Sequence, residues 1–220
     1  VIQAWFHNRS RFKALDRFNL GYQAKTFWLV IPVQNPRPNE KYLLEIDNPQ
    51  LDRLQLFQFD QNRFQPIGKE TGDDLPFDTR SLQHRNFAWL LNLQPSAQTL
   101  LLLHATKLHS SFSIPLYITP INTFVKEDGK AKLFYGLTFG MMVVIAVYSL
   151  LVGAFLKRQV YFSYFFFIIC SILLLATAEG LSFQYLYPKW GKVNSIFRVA
   201  IAGVSSISLL YFSMLLLNIR

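Results

Sequence analysis

Residues Val160 to Ala178, VYFSYFFFIICSILLLATA, contain no Asp, Glu, Lys, Arg or His. A helix of about 19 residues rises roughly 28 Å, close to the hydrocarbon thickness of a bilayer. Its eleven Val, Ile, Leu and Phe residues are together worth roughly −3 to −7 kcal/mol on the insertion scale. The run predicts a transmembrane helix.

Two further runs, Leu133 to Leu156 and Val199 to Leu217, also lack ionisable side chains. Burying all three in a soluble core would need more surrounding protein than this chain supplies. Their flanks suit a membrane interface. Tyr161 and Tyr164 open the second run, and the connection GLSFQYLYPKWGKVN carries Tyr185, Tyr187, Lys189, Trp190 and Lys192, amphipathic groups that favour the headgroup layer. Pro188 and Gly191 predict a turn there.

Glu179 closes the second span and Arg198 opens the third, so sequential spans place both at one side of the membrane. An interfacial ion pair and two hydrated end charges are both compatible with that placement. In the first span Gly136 and Gly140 form a GxxxG, and Ser149 and Gly153 repeat the small-xxx-small spacing. Such spacing permits close helix approach, within one bundle or in a homodimer.

Upstream of the membrane half the composition changes. KTFWLVIPV, KYLLEI, RLQLFQF, FAWLLNL, TLLLLHA and IPLYIT are strand-length apolar runs, separated by Asn-Pro, Asp-Gln-Asn, Gly-Lys-Glu-Thr-Gly-Asp-Asp and Gln-Pro-Ser segments that favour turns. About six strands at this spacing predict a β-sandwich. The predicted organisation is therefore an all-β sandwich over 1–125, a polar juxtamembrane joint, KEDGKAK, over 126–132, and transmembrane α-helices over 133–156, 160–178 and 199–217.

The formal charge of +9 would suggest nucleic acid only if it were clustered on one face. It is scattered, which argues against that partner. Cys170 is the single cysteine, so neither an intrachain disulfide nor a Cys-based zinc site can form. His7, His84, His104 and His109 lack metal-ligand spacing. No GxSxG elbow, phosphate loop or nucleophile constellation is present, so no metal, cofactor or catalytic residue is expected. The densest polar cluster between strands runs from Asp78 to Asn86. Asp78, Arg80, His84, Arg85 and Asn86 are the candidate ligand-binding residues, the alternative being a solvated loop. The chain starts at Val1 without methionine and stops at Arg220 after an apolar run, which reads as a piece cut at both ends.

The chain resembles bacterial seven-transmembrane receptors with diverse intracellular signalling modules. In the first half the resemblance rests on Leu20-Gly21-Tyr22, Trp28, LLEIDNPQLDRLQLF, Thr71-Gly72-Asp73, Leu75-Pro76-Phe77, Arg80, His84-Arg85-Asn86-Phe87 and Pro115-Leu116. In the second half it rests on Tyr135-Gly136, Tyr148, Tyr161 to Tyr164, and Glu179-Gly180-Leu181 through Phe183-Gln184-Tyr185-Leu186-Tyr187-Pro188. Leu29 stands where an arginine often follows the strand tryptophan, and Ser149 where an asparagine often follows the first-span tyrosine.

The resemblance implies a jelly-roll related to carbohydrate-binding modules in the periplasm, and three of seven helices in the bacterial inner membrane. It also implies a cytoplasmic output module, such as a diguanylate cyclase or histidine kinase, and a saccharide or other small polar ligand. The orientation it implies puts Lys126, Lys130, Lys132, Lys189, Lys192 and Arg198 outside against Lys157, Arg158 and Arg220 inside, the reverse of the positive-inside tendency. A membrane-tethered binding module and a transporter component are the competing readings. The second would favour ionisable groups or broken helices near the bilayer midplane, which these spans lack.

Overall fold

The computed structural model describes residues 19–22, 25–34, 40–60, 63–93, 98–107 and 111–218. They divide into two compact units, with the boundary after Ile121.

In the first unit the strands are β1 (Asn19–Tyr22), β2 (Lys25–Gln34), β3 (Tyr42–Ile46), β4 (Arg53–Asp60), β5 (Arg63–Thr71), β6 (Phe87–Leu91), β7 (Gln98–Lys107), β8 (Ser111–Ser113) and β9 (Leu116–Pro120). They form a four-stranded sheet ordered β2-β7-β4-β5, a three-stranded sheet ordered β6-β3-β9, and the pair β1-β8. The chain passes from one main sheet to the other at β2 to β3, β3 to β4, β5 to β6 and β6 to β7, while β4 and β5 form a hairpin within one sheet.

Every second residue points inward, as the pleat requires. Tyr42, Leu44 and Ile46 of β3, and Phe87, Trp89 and Leu91 of β6, meet Leu54 and Leu56 of β4, and Leu101, Leu103 and Ala105 of β7, in one buried cluster. This is the predicted β-sandwich.

All six apolar runs become strands. The sequence reading differs from the structure at β5, where Gly68 to Thr71, read as part of a turn segment, lies within the strand. Pro66 and Gly68 read as breakers, but β5 is an edge strand, the position within a sheet where proline is tolerated. Leu54 pairs with Thr71 and Leu56 with Ile67, so β5 carries two extra residues and bulges at Gly68, whose φ is +74°. Glycine reaches that conformation without steric cost.

At Gly72 the chain crosses the 50–52 segment. A Cβ there would lie 2.0 Å from the Asp52 carbonyl oxygen, and Asp73 N donates to Leu51 O at 2.7 Å. The obstacle is backbone, so Gly72→Ala is expected to destabilise the unit by about 1 to 3 kcal/mol, the range for forced overpacking, as read by chemical denaturation. Wild-type stability in the alanine variant would contradict that crossing.

The second unit holds α1 (Ile121–Leu156), α2 (Gln159–Ala178), the short α3 (Leu181–Tyr185) and α4 (Gly191–Leu216). All but α3 are long and apolar enough to cross a membrane. The polar 126–132 segment, expected as a joint, lies inside the continuous helix α1. Glu127 with Lys130 and Asp128 with Lys132 pair at i,i+3 and i,i+4, and such pairs support a helix through a polar stretch. At 36 residues, α1 is about 54 Å long, more than a hydrocarbon core accommodates.

Helices α2 and α4 pack through Tyr164 and Phe167 around Phe212, with ring centroids 4.9 and 6.4 Å apart. Asn194, Ile201, Ser205 and Ser208 form the buried stripe of α4 at intervals of seven, four and three. Small side chains let helix backbones approach where no water drives them together.

Candidate functional site

The loop from Gly72 to Asn86 joins β5 to β6 and contains the predicted ligand residues. Its first half turns through a short 3-10 segment, Phe77–Thr79. Thr79 Oγ1 donates to Pro76 O at 2.7 Å and bonds Thr71 Oγ1 at 3.1 Å, tying the turn to the end of β5.

Arg80 is the centre of the loop, with only 4% of its surface exposed. Its guanidinium lies 4.6 Å from the Phe77 ring centroid and 4.2 Å from that of Phe87, where a delocalised cation is attracted to the ring faces. Nη1 donates to the carbonyls of His84 and Arg85. Burial lowers its pKa to about 10, against the opposing pull of Asp73, so it stays charged at neutral pH.

Asn86 is buried as well. Its Nδ2 donates to Glu45 Oε1 at 2.8 Å and to Asp47 Oδ1 at 2.7 Å, and its backbone N–H donates to His84 Nδ1 at 3.1 Å. Nδ1 is therefore an acceptor, which fixes the proton of neutral His84 on Nε2. Asp78 is exposed and Arg85 half-buried.

A cleft of about 350 Å³ opens beside the loop, walled by Asp78 to Leu82 on one side and by Ile67 to Lys69 of β5 on the other. The β5 bulge presses against the loop here, since a Cβ on Gly68 would come within 2.2 Å of Ser81 Oγ. A second cleft of about 330 Å³ shares Ile67, Gly68 and Leu90 and adds the amides of Gln58, Gln65 and Asn92. Gln58 Nε2 donates to Asn92 O at 2.7 Å, tying β4 to the residue just after β6.

Of the predicted residues, Asp78 and Arg80 line the first cleft. His84, Arg85 and Asn86 are not among its walls, and His84 and Asn86 are held inside the domain. Lys69, Ser81 and the three amides were missed in sequence because β5 was not recognised as a strand. Together the clefts present hydroxyls, amides, one carboxylate, one ammonium and the edge of the Arg80 side chain beside Ile67 and Leu90, groups that can fix the orientation of a polar ligand.

In the membrane unit Tyr135 Oη donates to Glu179 Oε2 at 2.5 Å, so the carboxylate closing α2 is tied to α1. Tyr187 Oη donates to Asn194 Oδ1 at 2.9 Å, and Thr177 Oγ1 bonds Ser182 Oγ at 3.1 Å. Gly180, at φ +75°, makes the turn into α3. Ser149 and Gly153 are buried, and a Cβ on Gly153 would lie 3.1 Å from Tyr161 Cβ. Gly136 and Gly140 meet open space, so the two small pairs of α1 have different surroundings.

A β-sandwich domain followed by helices long and apolar enough to cross a bilayer defines a multi-pass membrane protein. Residues 3–120 match the family described as 7TMR-DISM extracellular 2, and residues 131–220 match that described as 7TM diverse intracellular signalling. The chain belongs to this family of seven-transmembrane receptors with diverse intracellular signalling modules. No curated protein and no solved structure matches it.

Proposed function

We propose that the sandwich is the periplasmic input domain of a bacterial inner-membrane receptor, that it binds a saccharide or another small polar ligand, and that the helices pass the signal to a cytoplasmic output module such as a diguanylate cyclase or histidine kinase. The observation that carries this reading is the order of the two family matches along one chain, sensor first and seven-helix region second. The role of these 220 residues is then input and transmission, with catalysis left to the output module. Asp78, on the wall of the cleft, and Arg85, further along the loop, are the proposed ligand contacts, while Arg80, His84 and Asn86 hold the loop in shape.

Topology is the first test. Lys69 is exposed on β5, so a Lys69→Cys variant in a Cys170→Ser background offers one accessible thiol. A membrane-impermeant maleimide should label it in intact spheroplasts. Labelling only after lysis would place the sandwich in the cytoplasm and sink the proposal.

A further inference from the structure

We propose that the outer face of the four-stranded sheet carries a ring-stacking platform, Trp28 with His104 and Phe57, that receives the apolar face of a neutral pyranose in an oligosaccharide. The inference rests on the receptor reading and names a contact surface for its ligand.

Strand register places the three rings together. Trp28 of β2 lies opposite His104 of β7, and His104 lies opposite Gln55 of β4. One step further along the same face, Val30, Leu102 and Phe57 make the next row. Two strand spacings separate the β2 and β4 backbones by about 9.6 Å. The ring centroids of Trp28 and Phe57 are nevertheless only 6.2 Å apart, so the two rings lean toward each other across β7.

The lean has two visible consequences. Trp28 comes to rest against His104, with centroids 4.4 Å apart, and Leu102, on the outward side of β7, keeps only 4% of its surface exposed. Trp28 itself remains 42% exposed. An indole supported on the sheet side and open on the other offers its electron-rich face to the polarised C–H groups of a sugar ring.

The border supplies hydrogen bonds. The exposed hydroxyls of Thr26 and Thr106 are 3.3 Å apart, and Gln55 Nε2 is held by the carbonyls of Leu56 and Gly68, which leaves the amide oxygen to accept from a ligand hydroxyl. In the row beyond, Arg53 is paired with Glu70 at 4.0 Å. With that pair matched, the platform favours a neutral ligand. Three rings are also too little surface for a stable protein partner, which takes about 800 Å² on each side.

The test is calorimetric binding of chitohexaose, cellohexaose and laminarihexaose to the full chain in lipid nanodiscs. At least one should bind, with affinity falling about tenfold or more in Trp28→Ala, a loss of about 1.4 kcal/mol, and largely kept in Trp28→Phe. The bound sugar should also shield Trp28 of the unmutated protein from N-bromosuccinimide oxidation, a reading independent of how the alanine variant folds. Binding unchanged by Trp28→Ala, a sugar that leaves Trp28 open to oxidation, or failure of all three to bind would each overturn the platform. If Asp78→Asn with Arg85→Ala abolishes binding while Trp28→Ala does not, the platform falls and the saccharide receptor stands. If nothing binds, the receptor reading keeps its separate test in the labelling of Lys69→Cys.

Discussion

Lys107→Ala is expected to destabilise the sandwich by about 3 to 5 kcal/mol, the cost of removing one partner from a buried ion pair. Lys107 and Asp52 have side-chain exposures of 2% and 5%, and Nζ stands 3.0 Å from Asp52 Oδ1. The same ammonium donates to the Gln50 carbonyl. Alanine would take from a buried carboxylate the cation 3.0 Å away and from the part-buried Gln50 carbonyl the ammonium that donates to it.

The result would show more than the strength of one pair. Gln50, Leu51 and Asp52 are the residues over which the chain crosses at Gly72, and Asp73 N and Asp74 N donate to Leu51 O and Asp52 O. Lys107 therefore holds from β7 the segment on which the ligand loop begins. A double variant, Lys107→Met with Asp52→Leu, removes both charges and should recover much of the loss, because apolar replacements of similar volume often match a buried pair. Denaturant unfolding followed by the fluorescence of buried Trp89 measures both. A Lys107→Ala variant within about 1 kcal/mol of wild type would mean that the pair is hydrated in solution.

The membrane half was legible because its signal is local. Nineteen uncharged residues from Val160 to Ala178 determine a span whatever surrounds them, and the structure ends the helix at Ala178. The start of α1 was less legible. Charge at 126–132 reads as an exposed joint, but charge does not break a helix when opposite signs fall three or four residues apart. Sheet strands with uninterrupted apolar runs were equally plain, whereas β5 was hidden by Pro66 and Gly68, whose acceptability depends on edge position, a property of the sheet order and not of the segment.

The ligand loop shows the same limit from the other side. Its polar density was visible, yet exposure could not be read from it, because a buried arginine and a solvated one have the same letter. What buries Arg80 is Phe87, the first residue of β6, and what buries Asn86 is the pair Glu45 and Asp47 contributed from β3 and its end. Glu45 and Asp47 are about forty residues from Asn86 in sequence, beyond any local pattern. The Trp28 platform was hidden for the same reason, since it is assembled from three strands.

Arg80→Ala should therefore act first on the shape of the loop and only through it on any ligand. The substitution empties the space between the Phe77 and Phe87 rings, takes the donor from two carbonyls, and removes the positive charge that acts on Asp73. A loss of about 3 to 5 kcal/mol follows from breaking a buried charged arrangement on one side. Arg80→Lys should fall between, keeping the charge but losing the planar fork and its stacking.

The pH dependence separates this account from one based on a titrating neighbour. Burial lowers the folded pKa of Arg80 to about 10, below its ordinary value, so the unfolded chain binds more protons only in the alkaline range above about pH 10. Stability contributed by this shift must rise with pH inside that alkaline window and be flat below it. The difference between wild type and Arg80→Ala should accordingly stay constant from about pH 6 to about pH 9, where Arg80 is charged in both states. A difference that changes across that neutral window would overturn this account of Arg80, whose guanidinium holds the His84 and Arg85 carbonyls.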